Sequence, residues 1–363
     1  MGIIINIWRQ WLFSGSVTVL LLLVGCSSQP RTMHFEMPQQ STNDAMVWPA
    51  EPNTARYAYI GDITGEENFR SAANDTANTL SSFLYILIGL DHSRRDPVVL
   101  QRPQGGITTP DGRIYVTDVS RQAVFVFDES LGTLDVWEQA GAGNTFSAPT
   151  GIASNTIGDI YIADSDQKIV HVMDHDGNYL GSWGSGVLQR PTGLAYDRLS
   201  NRLYVSDTAA DNIKVFDNNG LLVNIIGSTG DQPGQLNAPT YLSFSHDQLY
   251  ISDTLNARVQ IFTRDGDFIR TVGTRGNYIG QFNRPKGVAV DSDGNIYAIE
   301  SYYDHMIIFN SNGELLLTIG GAGKGSGKFF LPAGIWTDKK DRIYVADMLN
   351  GRIAVFQYLG DEL

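Results

Sequence analysis

The sequence predicts an all-β fold, a six-bladed β-propeller of four-stranded antiparallel blades, and three observations lead there. A tetrapeptide that begins in Tyr and ends in an acid recurs six times between residues 115 and 347. The prolines upstream of each copy are spaced by 46, 42, 48, 46 and 47 residues. Each period also holds four short runs of Val, Ile, Tyr and Phe divided by tight-turn dipeptides. Four antiparallel strands in a period of this length is the signature of a propeller blade.

The elements of one repeat follow in order. Its first strand opens at a proline, in RPQGGITT (Pro103), APTGIAS (Pro149), RPTGLAY (Pro191), APTYLSF (Pro239), RPKGVAV (Pro285) and LPAGIWT (Pro332). The second strand is the tetrapeptide: YVTD ending at Asp118, YIAD at Asp164, YVSD at Asp207, YISD at Asp253, YAIE at Glu300 and YVAD at Asp347. Nine residues beyond each acid an apolar residue ends a third strand, at Phe127, Met173, Phe216, Phe262, Phe309 and Phe356. A fourth strand such as FIRTVG or LLLTIG completes the unit. Dipeptides that tolerate positive φ, among them Asp111-Gly112, Asp176-Gly177, Asn219-Gly220, Asp265-Gly266, Asp293-Gly294 and Asn312-Gly313, join the strands.

The sixth repeat stops just after its third strand, in GRIAVFQYLGDEL, whereas RYAYIGDITG at 56–65 copies a fourth strand ahead of the first complete repeat. An N-terminal strand is therefore expected to close blade six, with Tyr59-Ile60-Gly61 standing where Thr318-Ile319-Gly320 stands in blade five. Closure leaves no free edge at the joint. Between this strand and blade one, NDTANTLSSFLYILIGLDHS at 74–93 predicts a short helix, capped at Asp75 or Thr76, with Leu80, Phe83, Leu84, Leu87, Ile88 and Leu90 on one face.

The N-terminus divides into a signal over 1–25, a flexible tether over 26–55 and the propeller over 56–363. An apolar run of about 15 residues after Arg9 is short for a spanning helix, which needs about 20, and reads as a secretory signal. The tether is rich in Gln, Ser, Asn, Thr and Pro and as a coil would reach roughly 30 Å. With 39 acidic and 26 basic residues the chain carries a formal charge of -13. Nucleic acid is an unsuitable partner for such a surface.

The repeat pattern, from Pro-x-Gly through the Tyr-to-acid tetrapeptide to the V-x-V-F-like third strand, resembles the NHL family over residues 100–363. Leu23-Val24-Gly25-Cys26 resembles the lipobox of bacterial lipoproteins. Together they look like a bacterial NHL-repeat lipoprotein. That resemblance implies lipidation at Cys26, the only cysteine, and, with Ser27 and Ser28 behind it, sorting to the outer membrane. What the NHL family does ranges over protein binding, RNA binding and a few lyases.

Chemistry is sparse. Zinc-dependent amidating lyases of this shape place His in the Pro-x-Gly segment, which here reads PQG, PTG, PTG, PTY, PKG and PAG. His34, His92, His171, His175, His246 and His305 show no ligand spacing from comparable positions. DHDGN at 174–178 and DSDGN at 291–295 imitate a calcium loop but put Ser185 and Tyr302 where its last acid belongs, and so read as hairpin turns. GGAGKGSGKF at 320–329 lacks the Lys-Ser/Thr pair of a phosphate loop and reads as a blade connection. No catalytic residue, metal site or cofactor is expected.

The acids Asp118, Asp164, Asp207, Asp253, Glu300 and Asp347 are expected to accept backbone N–H groups in six copies of one turn. Blade five departs from the rest, offering ESYYDH where its neighbours have DTLNAR and DMLNGR. Tyr302, Tyr303, Asp304 and His305, with Lys286 and Arg352 from adjacent connections, form the candidate recognition patch, since Tyr gives large contact area with a polar tip. The expected function is that of a non-catalytic, membrane-anchored scaffold of the cell envelope, binding a protein or peptide through one ring face. The alternative is a small-molecule enzyme of the propeller lyase or lactonase type using the axial pocket.

Overall fold

In the computed structural model, which describes residues 31–36, 46–71, 96–141 and 143–360, each repeat is one antiparallel sheet. Before the repeats come β1 (Arg31–Met33), β2 (Val47–Trp48), β3 (Tyr57–Ile63) and β4 (Phe69–Ser71). Blade one is β5 (Pro103–Thr108), β6 (Arg113–Asp118), β7 (Ala123–Asp128) and β8 (Thr133–Trp137). Blade two is β9 (Pro149–Ser154), β10 (Ile160–Asp164), β11 (Ile169–Met173) and β12 (Tyr179–Trp183). Blade three is β13 (Pro191–Asp197), β14 (Arg202–Asp207), β15 (Asn212–Phe216) and β16 (Leu222–Ile226). Blade four is β17 (Pro239–Ser245), β18 (Gln248–Asp253), β19 (Arg258–Thr263) and β20 (Phe268–Val272). Blade five is β21 (Pro285–Val290), β22 (Ile296–Glu300), β23 (His305–Phe309) and β24 (Leu315–Gly320). Blade six takes β25 (Pro332–Thr337), β26 (Arg342–Asp347) and β27 (Arg352–Tyr358) from the sixth repeat.

Its fourth strand is β3, so the sheet runs β25-β26-β27-β3-β2 and the ring is closed by the N-terminal strand as expected. The register differs from the expected one by three residues. Ile63 pairs with Ile353 as Ile319 pairs with Met306, so Ile63, not Ile60, is the counterpart of Ile319. Gly61 answers a different need: it has φ +131°, and a Cβ there would lie 2.8 Å from the Cβ of Phe35.

Part of the expected tether is folded onto the ring. β1 pairs with β4, Glu36 bridges Asp62, and β2 adds a fifth strand outside β3. Trp48 explains the last of these, because its indole packs 5.7 Å from the Phe356 ring. Residues 1–25, Cys26 and the helix expected over 74–93 lie outside the described residues, among which the only helices are single 3-10 turns.

The core is divided by blade interface. One cluster of buried apolar residues lies between each pair of neighbouring blades. The repeated Tyr (115, 161, 204, 250, 297 and 344) and the residue nine beyond each acid are buried in them. At roughly 1.5–3 kcal/mol per fully buried large side chain, this repetition is the main source of cohesion. The first strands of all six blades contact their neighbours around the axis.

Candidate functional site

Two faces follow from strand direction. The connections into the first strands and the turns between second and third strands share one, the loop face; the Asp-Gly and Asn-Gly hairpins lie on the other. The six acids build the loop face. Asp118 accepts the amides of Gln101 (2.6 Å) and Arg102 (2.9 Å) before the proline and those of Ser120 and Arg121 (3.0 Å each) in the turn. Asp164 takes Ser147, Ala148 and Gln167; Asp207 takes Gln189 and Arg190; Asp253 takes Asn237; Asp347 takes Phe330. Glu300 does the same with Asn283 (2.6 Å), Arg284 (2.9 Å) and Tyr302 (2.9 Å).

All six carboxylates are buried, and each ties a turn to the connection beside it. Lys214, Arg258 and Arg352 add a cation to Asp207, Asp253 and Asp347. Among the described residues Glu300 has no such ion pair, and its burial pushes its pKa up. The fourth residue after every acid is left-handed: Gln122, Lys168, Asp211, Ala257, Asp304 and Gly351 have φ between 51° and 63°.

The candidate recognition residues separate into two groups. Tyr302 is 59% exposed and its ring lies edge-on to Tyr303 at 4.9 Å. Tyr303 donates its hydroxyl to Asn277 Oδ1 at 3.1 Å, and Asp304 accepts the Leu331 amide at 2.6 Å, which binds the blade-five turn to the connections on both sides. His305 is half-buried. Arg352 does not belong to this surface. It is 5% exposed, and its guanidinium donates to Asp347 (2.8 Å), to Asp62 of the closing strand (2.8 Å) and to the carbonyls of Gly325 and Lys328. Burial pushes the carboxyls of Asp62 and Asp347 up, and the guanidinium opposes that shift.

The surroundings of Tyr302 extend the patch beyond the residues picked out in the sequence. Tyr278 (82% exposed) and Ile279 (79% exposed) stand in the connection that Tyr303 binds. Leu255, Phe330 and Leu349 are also exposed in loop-face segments of blades four to six. Hydrogen bonds link these segments, from Arg275 to the Leu255 carbonyl and from the Leu349 amide to the Phe330 carbonyl. In blades one to three the same turns read Val119-Ser120-Arg121, Ser165-Asp166-Gln167 and Thr208-Ala209-Ala210. The signal missed in the sequence was this difference between half-rings.

The axis is a second site. Five of the six Pro-x-Gly segments keep their glycine because the neighbouring strand is too close for a side chain; a Cβ at Gly151 would lie 2.1 Å from the Thr192 carbonyl oxygen. Blade four has Tyr241 instead. Its hydroxyl donates across the axis to the Gln104 carbonyl of blade one at 3.0 Å, and burial pushes its pKa up. Tyr241 thus divides the channel. On the hairpin side lies a cup of about 280 Å³ walled by Ile152, Leu194, Phe244 and Trp336, with Ser154, Ser243 and Arg198 among its polar lining. Trp336 donates to Thr108 Oγ1 at 3.1 Å and stacks on Tyr344 at 5.2 Å. Lys286, one position before the glycine in Pro-Lys-Gly, is not among the residues that line the cup. Among the described residues no group of three or more His, Cys, Asp or Glu is placed to hold a metal ion.

A family model described as 6-bladed beta-propeller matches residues 234–307 and 289–361. The chain is a six-bladed β-propeller. No curated protein sequence matches it. Among solved structures it is similar to a virginiamycin B lyase from Staphylococcus aureus, at 14% identity over 90% of this chain and 95% of that one, with a TM-score of 0.54. A gluconolactonase from Xanthomonas campestris matches at 16% identity over 72% and 89%, TM-score 0.55. An auxiliary nutrient binding protein from Bacteroides thetaiotaomicron matches at 12% identity over 72% and 70%, TM-score 0.56. At these identities the likeness to this propeller is one of fold.

Proposed function

We propose that this propeller is an NHL-type lipoprotein of the cell envelope, anchored through Cys26, that binds a protein or peptide partner on its loop face. The observation that carries the reading is the arc of exposed aromatic and aliphatic side chains centred on Tyr302 in blades four to six, where Tyr278, Ile279, Leu255, Phe330 and Leu349 stand; among the described residues the connections into blades one and three expose only Val98 and Val187 of this kind. Interfaces are enriched in aromatic anchors of this kind, and a rigid ring presents them without an ordering cost. A single acyl chain anchors weakly and multiple chains hold firmly, so the lipobox reading implies a protein that stays at its membrane while the loop face engages the partner.

The test has two arms. Cys26→Ser should move the protein from the membrane to the soluble fraction. Tyr302→Ala with Tyr303→Ala should leave thermal stability nearly unchanged while abolishing capture of the envelope protein that the wild type retains. Retained capture with a large loss of stability would make the tyrosines mere packing.

The axial cup favours a second reading, a small-molecule site of the propeller lyase or lactonase type. Stoichiometric zinc or calcium in the purified protein, lost together with an activity, would support it over the scaffold.

A further inference from the structure

The residue before the strand-opening proline is Arg in blades one, three and five (Arg102, Arg190 and Arg284) and Ala148, Ala238 and Leu331 in the blades between. Consecutive repeats are neighbours around the axis, so alternation along the sequence becomes three arginines spaced around the loop-face mouth of the channel. Their roots are fixed, because the backbone amides of Arg102, Arg190 and Arg284 donate to Asp118, Asp207 and Glu300 at 2.9, 2.7 and 2.9 Å. All three side chains are exposed and none forms an ion pair with a described residue.

Inside the arginines stands Lys286, the central residue of Pro-Lys-Gly; its five counterparts, Gln104, Thr150, Thr192, Thr240 and Ala333, are uncharged. It too has no ion pair among the described residues. Burial, and then the charges of Arg284 and of Arg102 two blades away, hold its pKa down. The acids of the three arginine-bearing blades are already engaged: Asp118, Asp207 and Glu300 are buried and accept backbone amides, and Asp207 also holds Lys214, although the Arg284 charge is felt at Glu300. A half-buried, unpaired cation beside others is costly even on a chain of formal charge -13, because desolvation and the neighbouring like charges act locally. A bound anion would relieve both the desolvation and the repulsion.

We propose that the loop-face mouth of the channel is a binding site for a multivalent oxyanion, carboxylate or phosphate, with Lys286 at its base and Arg102, Arg190 and Arg284 around it. Lysine supplies a point charge and arginine a fork matched to two oxygens. The bond between Tyr241 and Gln104 closes the axis below, so the anion seats at the mouth and does not pass through. The site requires no partner protein and stands or falls apart from the tyrosine arc.

The test is calorimetric titration of the full chain with citrate and, separately, with inorganic phosphate, at ionic strength held constant with sodium chloride. The wild type should show saturable single-site binding, tighter for whichever oxyanion class the site serves. Lys286→Met should weaken binding by about tenfold, the loss of one charge-assisted contact, and should raise the melting temperature without anion, because a desolvated charge is gone. Lys286→Gln gives the same comparison if the Met variant does not fold. The Tyr302→Ala, Tyr303→Ala variant should bind both anions as the wild type does. Absence of saturable binding to either anion, or undiminished binding by the lysine variants, would overturn the proposal.

Discussion

Arg352 shows at the scale of one residue what sequence position conceals. In the chain it follows a loop-face turn, beside Asn350 and Gly351, and reads as a surface cation. In the fold it is the shared partner of Asp347 and Asp62, two carboxylates from opposite ends of the chain. Removing one member of a buried ionic group costs about 3–5 kcal/mol, because the charges left behind are uncompensated. Arg352→Met is expected to lose stability on that scale by urea unfolding at neutral pH. The deficit should have a pH signature. Burial already raises both carboxyls, and without the guanidinium they titrate further above their unfolded values. The folded variant then takes up protons before the unfolded chain does as the pH falls, so its deficit should shrink on acidification from neutral pH toward the carboxyls' unfolded values and grow as the pH rises. A deficit independent of pH would mean that lost packing, not buried charge, dominates.

At the scale of the element, the six turns were readable because six copies of one acid at one spacing have a common cause, and backbone amides around each carboxylate supply it. Glu300 is part of that pattern: it holds the equivalent connection through the same kind of backbone amides as the aspartates. What repetition could not show was the left-handed residue four places on, since Gln122, Lys168, Asp211, Ala257 and Asp304 carry no common mark. Three of them use the conformation, Gln122 by donating to the Ser147 carbonyl of the next connection. Asp211 and Asp304 accept the amides of Ala238 and Leu331 from the next connection. Lys168 is exposed and makes no side-chain contact of this kind, so Lys168→Gly should relieve strain and raise stability by about 0.5–1 kcal/mol, net of the added freedom of the unfolded chain. A fall in melting temperature would show that the strain is smaller than the entropy gained on unfolding. The closing strand was legible as an element and not in register, because Gly61 mimics Gly320 in sequence while serving Phe35 in space. The PTY segment and the alternate arginines were visible too. Only a ring turns the first into a plug and the second into a cluster.

At the scale of the molecule, closure depends on residues that look expendable. β3 contributes Tyr57, Tyr59 and Ile63 to the clusters on both sides of blade six. Deleting 27–55 removes β1 and β2 and should give a folded ring of lower melting temperature. Deleting 27–66 also bares the edge of β27 and should give a chain that aggregates on size-exclusion chromatography. Equal stability of the two truncations would refute closure by β3. The joint also sets an order of events. Asp62 and Arg352 are separated by 290 positions, and pairing at such distance pays a large loop-closure entropy before any contact rewards it. On the ribosome β3 emerges before any blade and its partner β27 after all of the first five, so its apolar side chains wait through nearly the whole synthesis with no sheet to join. A strand held in that state is a target for holding chaperones, and its capture, not the formation of any single blade, is the step at which this ring commits to its native form.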